Sequence, residues 1–177
     1  MPEFAVTAIG RDRPGIVAAI SAALLELEGN IEDSQMSILR GHFAMMLLVS
    51  VPESVAATQL QQRLDRVRAE LDLDQVAVKA VGELEAQRPK PSHVITVYGA
   101  DHPGIVHSVS AELATRGVNI TDLETRVAGA AESPFYVMIL EVDLGDATEA
   151  EIDSALREVG EQAKVEVSVR PLATEAL

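Results

Sequence analysis

The 177-residue chain has no cysteine and no tryptophan, and aromatic residues make up only 3% of it. Without cysteine there are no disulfides and no thiolate metal sites, a composition that fits a reducing compartment. With so few aromatics, Val, Ile, Leu and Ala have to fill the interior. Positive charge is scarce too: 14 Lys and Arg stand against 28 Asp and Glu, for a net charge of -14. The basic residues are scattered singly, whereas phosphate binding needs them clustered, so direct binding to nucleic acid is not expected. The acidity reads as solubility. No apolar run approaches the ~20 residues that span a bilayer, and the N-terminus shows no charged-then-apolar leader. The expectation is a cytoplasmic protein without membrane attachment.

What the chain does have is a long internal repeat. Asp12-Arg13-Pro14-Gly15-Ile16-Val17 returns as Asp101-His102-Pro103-Gly104-Ile105-Val106. The likeness extends without a gap from Phe4–Ile38 to His93–Val127, and includes Gly10/Gly99, Asn30/Asn119 and Ile31/Ile120. A repeat of this length has the size of a small domain rather than a solenoid unit. We therefore expect two domains, residues 1–83 and 93–177, joined by a polar linker over 84–92 that contains Pro89 and Pro91.

Each copy predicts strand, helix, strand, strand, helix, strand. Phe4 to Ile9 is a short apolar run ending at Gly10. After the Pro-Gly turn, Ile16, Ile20, Leu24 and Leu27 recur at helical spacing until Gly29 stops the helix. Asn30 to Arg40 alternates, Gly41 makes a tight turn, and Phe43 to Val51 is nearly all apolar. Pro52-Glu53-Ser54 opens a second helix, with Leu60, Leu64, Val67 and Leu71 on its inner stripe, and Gln75 to Val81 is the fourth strand. In the second copy Gly117 ends the first helix, Thr148 and Glu151 form a capping box, and Val165, Val167 and Val169 face inward. This order gives an α+β protein: two ferredoxin-like βαββαβ units in tandem, each an antiparallel sheet with two helices on one face. Right-handed crossovers place the first and third strands in the middle of each sheet. The other sheet face lacks a helix cover and carries apolar residues, which invites a homodimer.

The strictest part of the repeat is a turn where a strand delivers the chain to a helix N-terminus. Free N–H groups and the positive end of the helix dipole suit a carboxylate there, and Gly15 and Gly104 allow a close approach. The alternative is that Pro-Gly merely starts a helix, with Pro14 in the first turn and Asp12 or Arg13 as the cap. Asp12 and Asp101 can receive an ammonium group or serve as caps. Asn30 and Asn119 read as lying at the same end of the sheet as the turn. Their amides can serve a carboxylate and an ammonium together, or they can be left-handed residues that end the helix.

Catalysis finds little support. His93, His102 and His107 lack paired metal-ligand spacing, and no Ser/His/Asp arrangement, P-loop or Rossmann glycine pattern is present. No catalytic residue, metal or cofactor is expected. Glu26, Glu28, Asp65 and Glu70 read as a solvated helix face, and Met36, Met45, Met46 and Met138 as core fillers.

Taken together, the Asp-x-Pro-Gly-Ile-Val turn, its helix and the Asn-Ile that follows resemble the ACT domain family over nearly the whole chain. The tandem, stand-alone form is most similar to the glycine cleavage system transcriptional repressor group of ACT proteins. The resemblance implies a non-enzymatic regulatory protein that binds a small amino acid where ACT domains meet. It implies a ligand-binding set of Gly10, Asp12, Arg13, Pro14, Gly15, Ile16, Asn30 and Ile31. The second copy supplies Gly99, Asp101, His102, Pro103, Gly104, Ile105, Asn119 and Ile120. A serine-binding variant in the family carries His in place of Gly10 and Gly99, and Asn in place of Asp12 and Asp101, so this chain departs from that pattern. A protein partner would read the bound state. The alternatives are a ligand-free scaffold or interaction module, and an accessory regulatory subunit of an amino-acid enzyme.

Overall fold

The computed structural model describes residues 1–82, 90–129 and 134–172. The chain divides into two compact units, 1–86 and 87–177, and most of the expected linker over 84–92 lies outside the described residues. In the first unit the elements are β1 (Glu3–Arg11), α1 (Ile16–Leu25), β2 (Asn30–Leu39), β3 (His42–Ser50), α2 (Ala57–Glu70) and β4 (Leu73–Val81). In the second they are β5 (His93–Ala100), α3 (Ile105–Thr115), β6 (Asn119–Ala128), β7 (Phe135–Asp143), α4 (Glu149–Ala163) and β8 (Val165–Pro171). The sheets run β2-β3-β1-β4 and β6-β7-β5-β8, antiparallel throughout, with the first and third strand of each unit in the middle as expected.

Each unit owns a core between one sheet face and its two helices. In the first, alternate residues of β1 (Phe4, Val6, Ala8) and β3 (Phe43, Met45, Leu47, Val49) meet Ile16, Ile20 and Leu24 of α1 and Leu60, Leu64 and Val67 of α2. In the second, Ile95, Val97, Met138, Leu140 and Val142 meet Ile105, Val109, Leu113, Ile152 and Leu156. The helical stripes read from spacing are the buried ones, because a 3.6-residue period leaves a helix one apolar face, except that Leu27 and Leu71 lie past the helix ends and are partly buried.

The opposite sheet face exposes Ile9 and Met46 in the first unit and Tyr98 and Ile139 in the second, while Met36, Ile38, Leu123 and Val127 pair with core residues and are exposed on the edge strands β2 and β6. This corrects the reading of the methionines, for only Met45 and Met138 are core residues. Alternation sends Met46 to the far side of the sheet, while Met36 lies opposite Met45 on the edge strand β2 and stays exposed.

Four local features follow from sequence chemistry. Arg40 and Gly41 have φ of 50 and 82, so the β2–β3 hairpin turns on two left-handed residues, a geometry that matches strand twist. The start of α2 corrects the expectation. Pro52 to Val55 forms a separate turn closed by Val55 N–H on the Pro52 carbonyl, and the helix begins at Ala57, where Gln59 accepts from the Ala56 N–H. The end of α1 is also different, since Glu28 rather than Gly29 is left-handed (φ 55). Gly29 instead packs closely, and a Cβ there would stand 3.1 Å from the Leu24 carbonyl oxygen. Lastly, Gln61 of α2 clasps the open edge of β4: its amide donates to the Val76 carbonyl at 3.2 Å and accepts from Val78 N–H at 2.9 Å.

Candidate functional site

The repeated turn differs from the expectation at its centre. Gly15 and Gly104 are themselves the N-caps of α1 and α3, with φ of 96 and 101. A left-handed cap is easy only for glycine. It swings the chain into the helix at Ile16, two residues later than a start at Pro14, so Asp12 and Arg13 lie upstream and do not cap. Asp12 is held by its backbone, its N–H donating to the Gly41 carbonyl of the hairpin at 2.9 Å. Asp12, Pro14, Gly15, Asp101, His102, Pro103 and Gly104 are all exposed, while Ile16 and Ile105 point into the cores.

The consequence concerns hydrogen-bond donors. The first N–H groups of any helix lack partners within it. In α4, Thr148 and Glu151 satisfy them reciprocally in a capping box, as the sequence predicts, and α2 has the Gln59 contact. α1, α2 and α3 all lack a side-chain cap, and α1 and α3 lack the reach-back contact that Gln59 makes in α2. The two starts with no side-chain contact of either kind are thus the ones that carry the repeated turn. Beside the second, a cleft of about 490 Å³ runs between the turn, Val106, His107 and Tyr136. Tyr136 is nearly buried, and burial pushes its phenol up from the ordinary value. The residue at the same place in the β3 register of the first unit is Phe43.

Gly10 and Gly99 have a different reason to be glycine. A Cβ on Gly10 would stand 2.9 Å from Leu73 Cδ2 and 3.0 Å from Leu73 Cα, and one on Gly99 would stand 2.8 Å from Val165 Cγ1. These residues admit the next strand, so the protein itself fills the space that a larger side chain would take.

Asn30 and Asn119 require a larger correction. Both open a strand, and Glu28 and Gly117 (φ 55 and 70) hold the left-handed positions before them. They do not lie at the turn's end of the sheet. Arg11 pairs with His42, whereas Asn30 pairs with Ser50, because β1 and β2 both run antiparallel to β3 and so start at the same end. At ~3.3 Å per residue the length of β3 separates the turn from Asn30 by roughly 26 Å. The second unit repeats this, with Ala100 opposite Phe135 and Asn119 opposite Asp143.

The Asn ends of the two units also differ, through a bulge that the sequence does not announce. The β2 register shifts between Ile31 and Asp33, which sets Glu32 apart, and the β6 register shifts between Ile120 and Asp122, which sets Thr121 apart. Glu32 accepts from Ser50 Oγ at 2.6 Å and from Asn30 Nδ2 at 3.0 Å, and these bonds hold its carboxyl below the usual carboxylate range. Thr121 Oγ1 is buried and, among the described residues, has no hydrogen-bond partner. Ile31 is part-exposed, and Ile120 packs against its core.

One constellation with a catalytic look emerges only in three dimensions. His93 Nδ1 is 2.9 Å from Ser92 Oγ, and its Nε2 is 3.5 Å from Glu149. The serine is already engaged with backbone, accepting from Leu144 N–H at 3.2 Å and lying 3.3 Å from the Val142 carbonyl oxygen. It braces the start of β5. Among the described residues, no group of three His, Asp or Glu side chains could hold a metal, and no helix is long and apolar enough to cross a membrane.

A duplicated ferredoxin-like unit with an open, glycine-capped helix start in each copy defines the class of protein. Sequence comparison gives the family: the ACT domain profile matches residues 3–79 and, separately, residues 93–161. The glycine cleavage system transcriptional repressor of Escherichia coli is 30% identical over 156 residues, covering 86% of this chain and 80% of that protein. A UPF0237 protein of Methanopyrus kandleri is 45% identical over 75 residues, 42% of this chain and 83% of its own. Among solved structures, a protein of unknown function from Galdieria sulphuraria superimposes with a TM-score of 0.81 at 30% identity, covering 97% of this chain and 99% of the other. The chain belongs to the ACT domain family, with two such domains in tandem.

Proposed function

We propose that this is a non-enzymatic regulatory protein that binds a small amino acid and passes the bound state to a protein partner. The observation that carries this is at the helix starts: the two that follow the repeated turn are glycine-capped, with neither a side-chain cap nor a capping-box contact, whereas α4 has both and α2 has the Gln59 contact. A ligand carboxylate would complete either of them, favoured by the helix dipole. The ammonium would find an acceptor at Asp12 or Asp101, or at the Asn30–Glu32 group. Since turn and Asn lie at opposite ends of one sheet, a ligand that meets both has to take them from different copies of the fold, as in a homodimer. The Escherichia coli relative is named a transcriptional repressor. At a net charge of -14, the chain would serve such a role through another protein and not by holding DNA itself.

The test is thermal unfolding against each standard amino acid at millimolar concentration. A ligand at ~100 times its Kd adds about 2.7 kcal/mol, a rise of several degrees for a chain of this size. The expected result is a rise with one or two amino acids that is lost in Asp12→Ala or Asn30→Ala. No rise with any of them would overturn the proposal.

A further inference from the structure

The two turns are held to their surroundings by different chemistry. The first is tied by an exposed ion pair, Arg13 Nη2 to Asp72 Oδ2 at 3.9 Å, where Asp72 is the left-handed residue (φ 50) that precedes β4. In the second unit the repeat places His102 at the position of Arg13, and the left-handed residue before β8 is Lys164 (φ 54). An ion pair of the first kind is impossible there. Instead the imidazole lies between two carbonyls, with Nδ1 3.0 Å from the Pro103 oxygen and Nε2 2.6 Å from the Ala163 oxygen.

Both neighbours are pure acceptors. A neutral imidazole carries one N–H and one lone pair, so in this seat the lone pair would face a carbonyl lone pair. Only the imidazolium donates at both nitrogens. We infer that His102 is a proton-operated latch, which in its charged form ties the second Pro-Gly turn to the C-terminal end of α4.

The surrounding charges can be weighed. Ala163 is the last residue of α4, where the helix dipole favours a cation. Asp101, in the same turn, also favours the charged ring, and Lys164 opposes it. From α3, His107 lines one of the clefts beside the ring; Glu112 lines the other, where it is engaged with Arg116. Tyr136 of β7 is neutral in the relevant range, its phenol being raised further by burial. The two carbonyl contacts are the largest influences, and together they raise the imidazole above its ordinary value. The latch is therefore fully closed below the unfolded-state value of about 6.5 and opens as pH rises through the higher folded-state value. Arg13 does not titrate in this range, so the first turn is a built-in control.

Given the reading of the turn as a carboxylate site, closure fixes the α3 amides and leaves a positive charge beside them. Anion affinity at the second turn should fall several-fold as the latch opens, with no such change at the first turn.

The experiment is an NMR titration of the full chain from pH 5 to 9, following the imidazole Cε1–H signals and the amides of Gly104 to His107 and of Ala163 to Val165. The expected result is a His102 midpoint above about 6.5, shared by both sets of amides, while Gly15 to Ala18 do not move. In His102→Arg the midpoint should vanish from those amides. A His102 midpoint at or below the ordinary value, or Ala163 to Val165 amides that ignore it, would overturn the latch. Acetate, the simplest carboxylate, then separates the two readings. A shared midpoint with no acetate shift at either turn upholds the latch and rejects the anion site.

Discussion

At Gly15 the backbone stands at φ 96 with nothing within 4 Å of where a Cβ would be, so Gly15→Ala isolates backbone strain. The expected cost is about 1–2 kcal/mol in urea unfolding, the usual charge for a left-handed L-residue. Gly99→Ala should cost more, because the new Cβ would stand 2.8 Å from Val165 Cγ1 and 3.1 Å from Val165 Cα, so β8 would have to move. The Glu32 carboxyl supplies a pH test. Its value is lowered chiefly by the Ser50 hydroxyl. Its contribution to stability is thus present above the unfolded-state value of about 4.3 and is lost as pH falls through the lower folded-state value. Ser50→Ala should move the Glu32 carboxyl titration upward and narrow that window, as seen by carboxyl-detected NMR. At this scale the sequence was only partly legible. The Pro-Gly repeat announced the turn, yet it pointed to Asp12 or Arg13 as the cap and not to Gly15, since a cap is decided by φ and not by residue type alone. The Glu32–Ser50 bond was invisible, because a bulge has to shift the register before those side chains face each other.

Among the elements, α4 shows how far local chemistry can be read. Thr148 and Glu151 sit at capping-box spacing and form one, so Thr148→Ala should cost about 1 kcal/mol, with amide protection lost first at the start of α4 in hydrogen exchange. The buried stripes of α1 and α2 were legible for the same reason: periodicity is a local property of sequence. The strand order was legible at one remove, from polarity together with crossover handedness. The placement of Asn30 was not. Sequence proximity suggested that it lay beside the turn, but α1 carries the chain back down the sheet and β2 restarts where β1 began. The candidate residues of each unit therefore lie at two ends of the sheet and not in one place.

Across the whole molecule, the net charge of -14 means that folding draws like charges together. Raising sodium chloride from about 10 to about 200 mM shortens the screening length severalfold and should raise the melting temperature. Each sheet also keeps an apolar face in water and ends at a strand whose outer backbone groups are open. Such an edge is a template on which further strands can be laid, and an adjoining apolar face would hold them there. The side chain of Gln61 interrupts that template on β4, for its amide donates to Val76 and accepts from Val78 as a neighbouring peptide would. One glutamine thus imitates the next strand without being one. It leaves the apolar face free for a specific partner while denying the edge to runaway cross-β stacking.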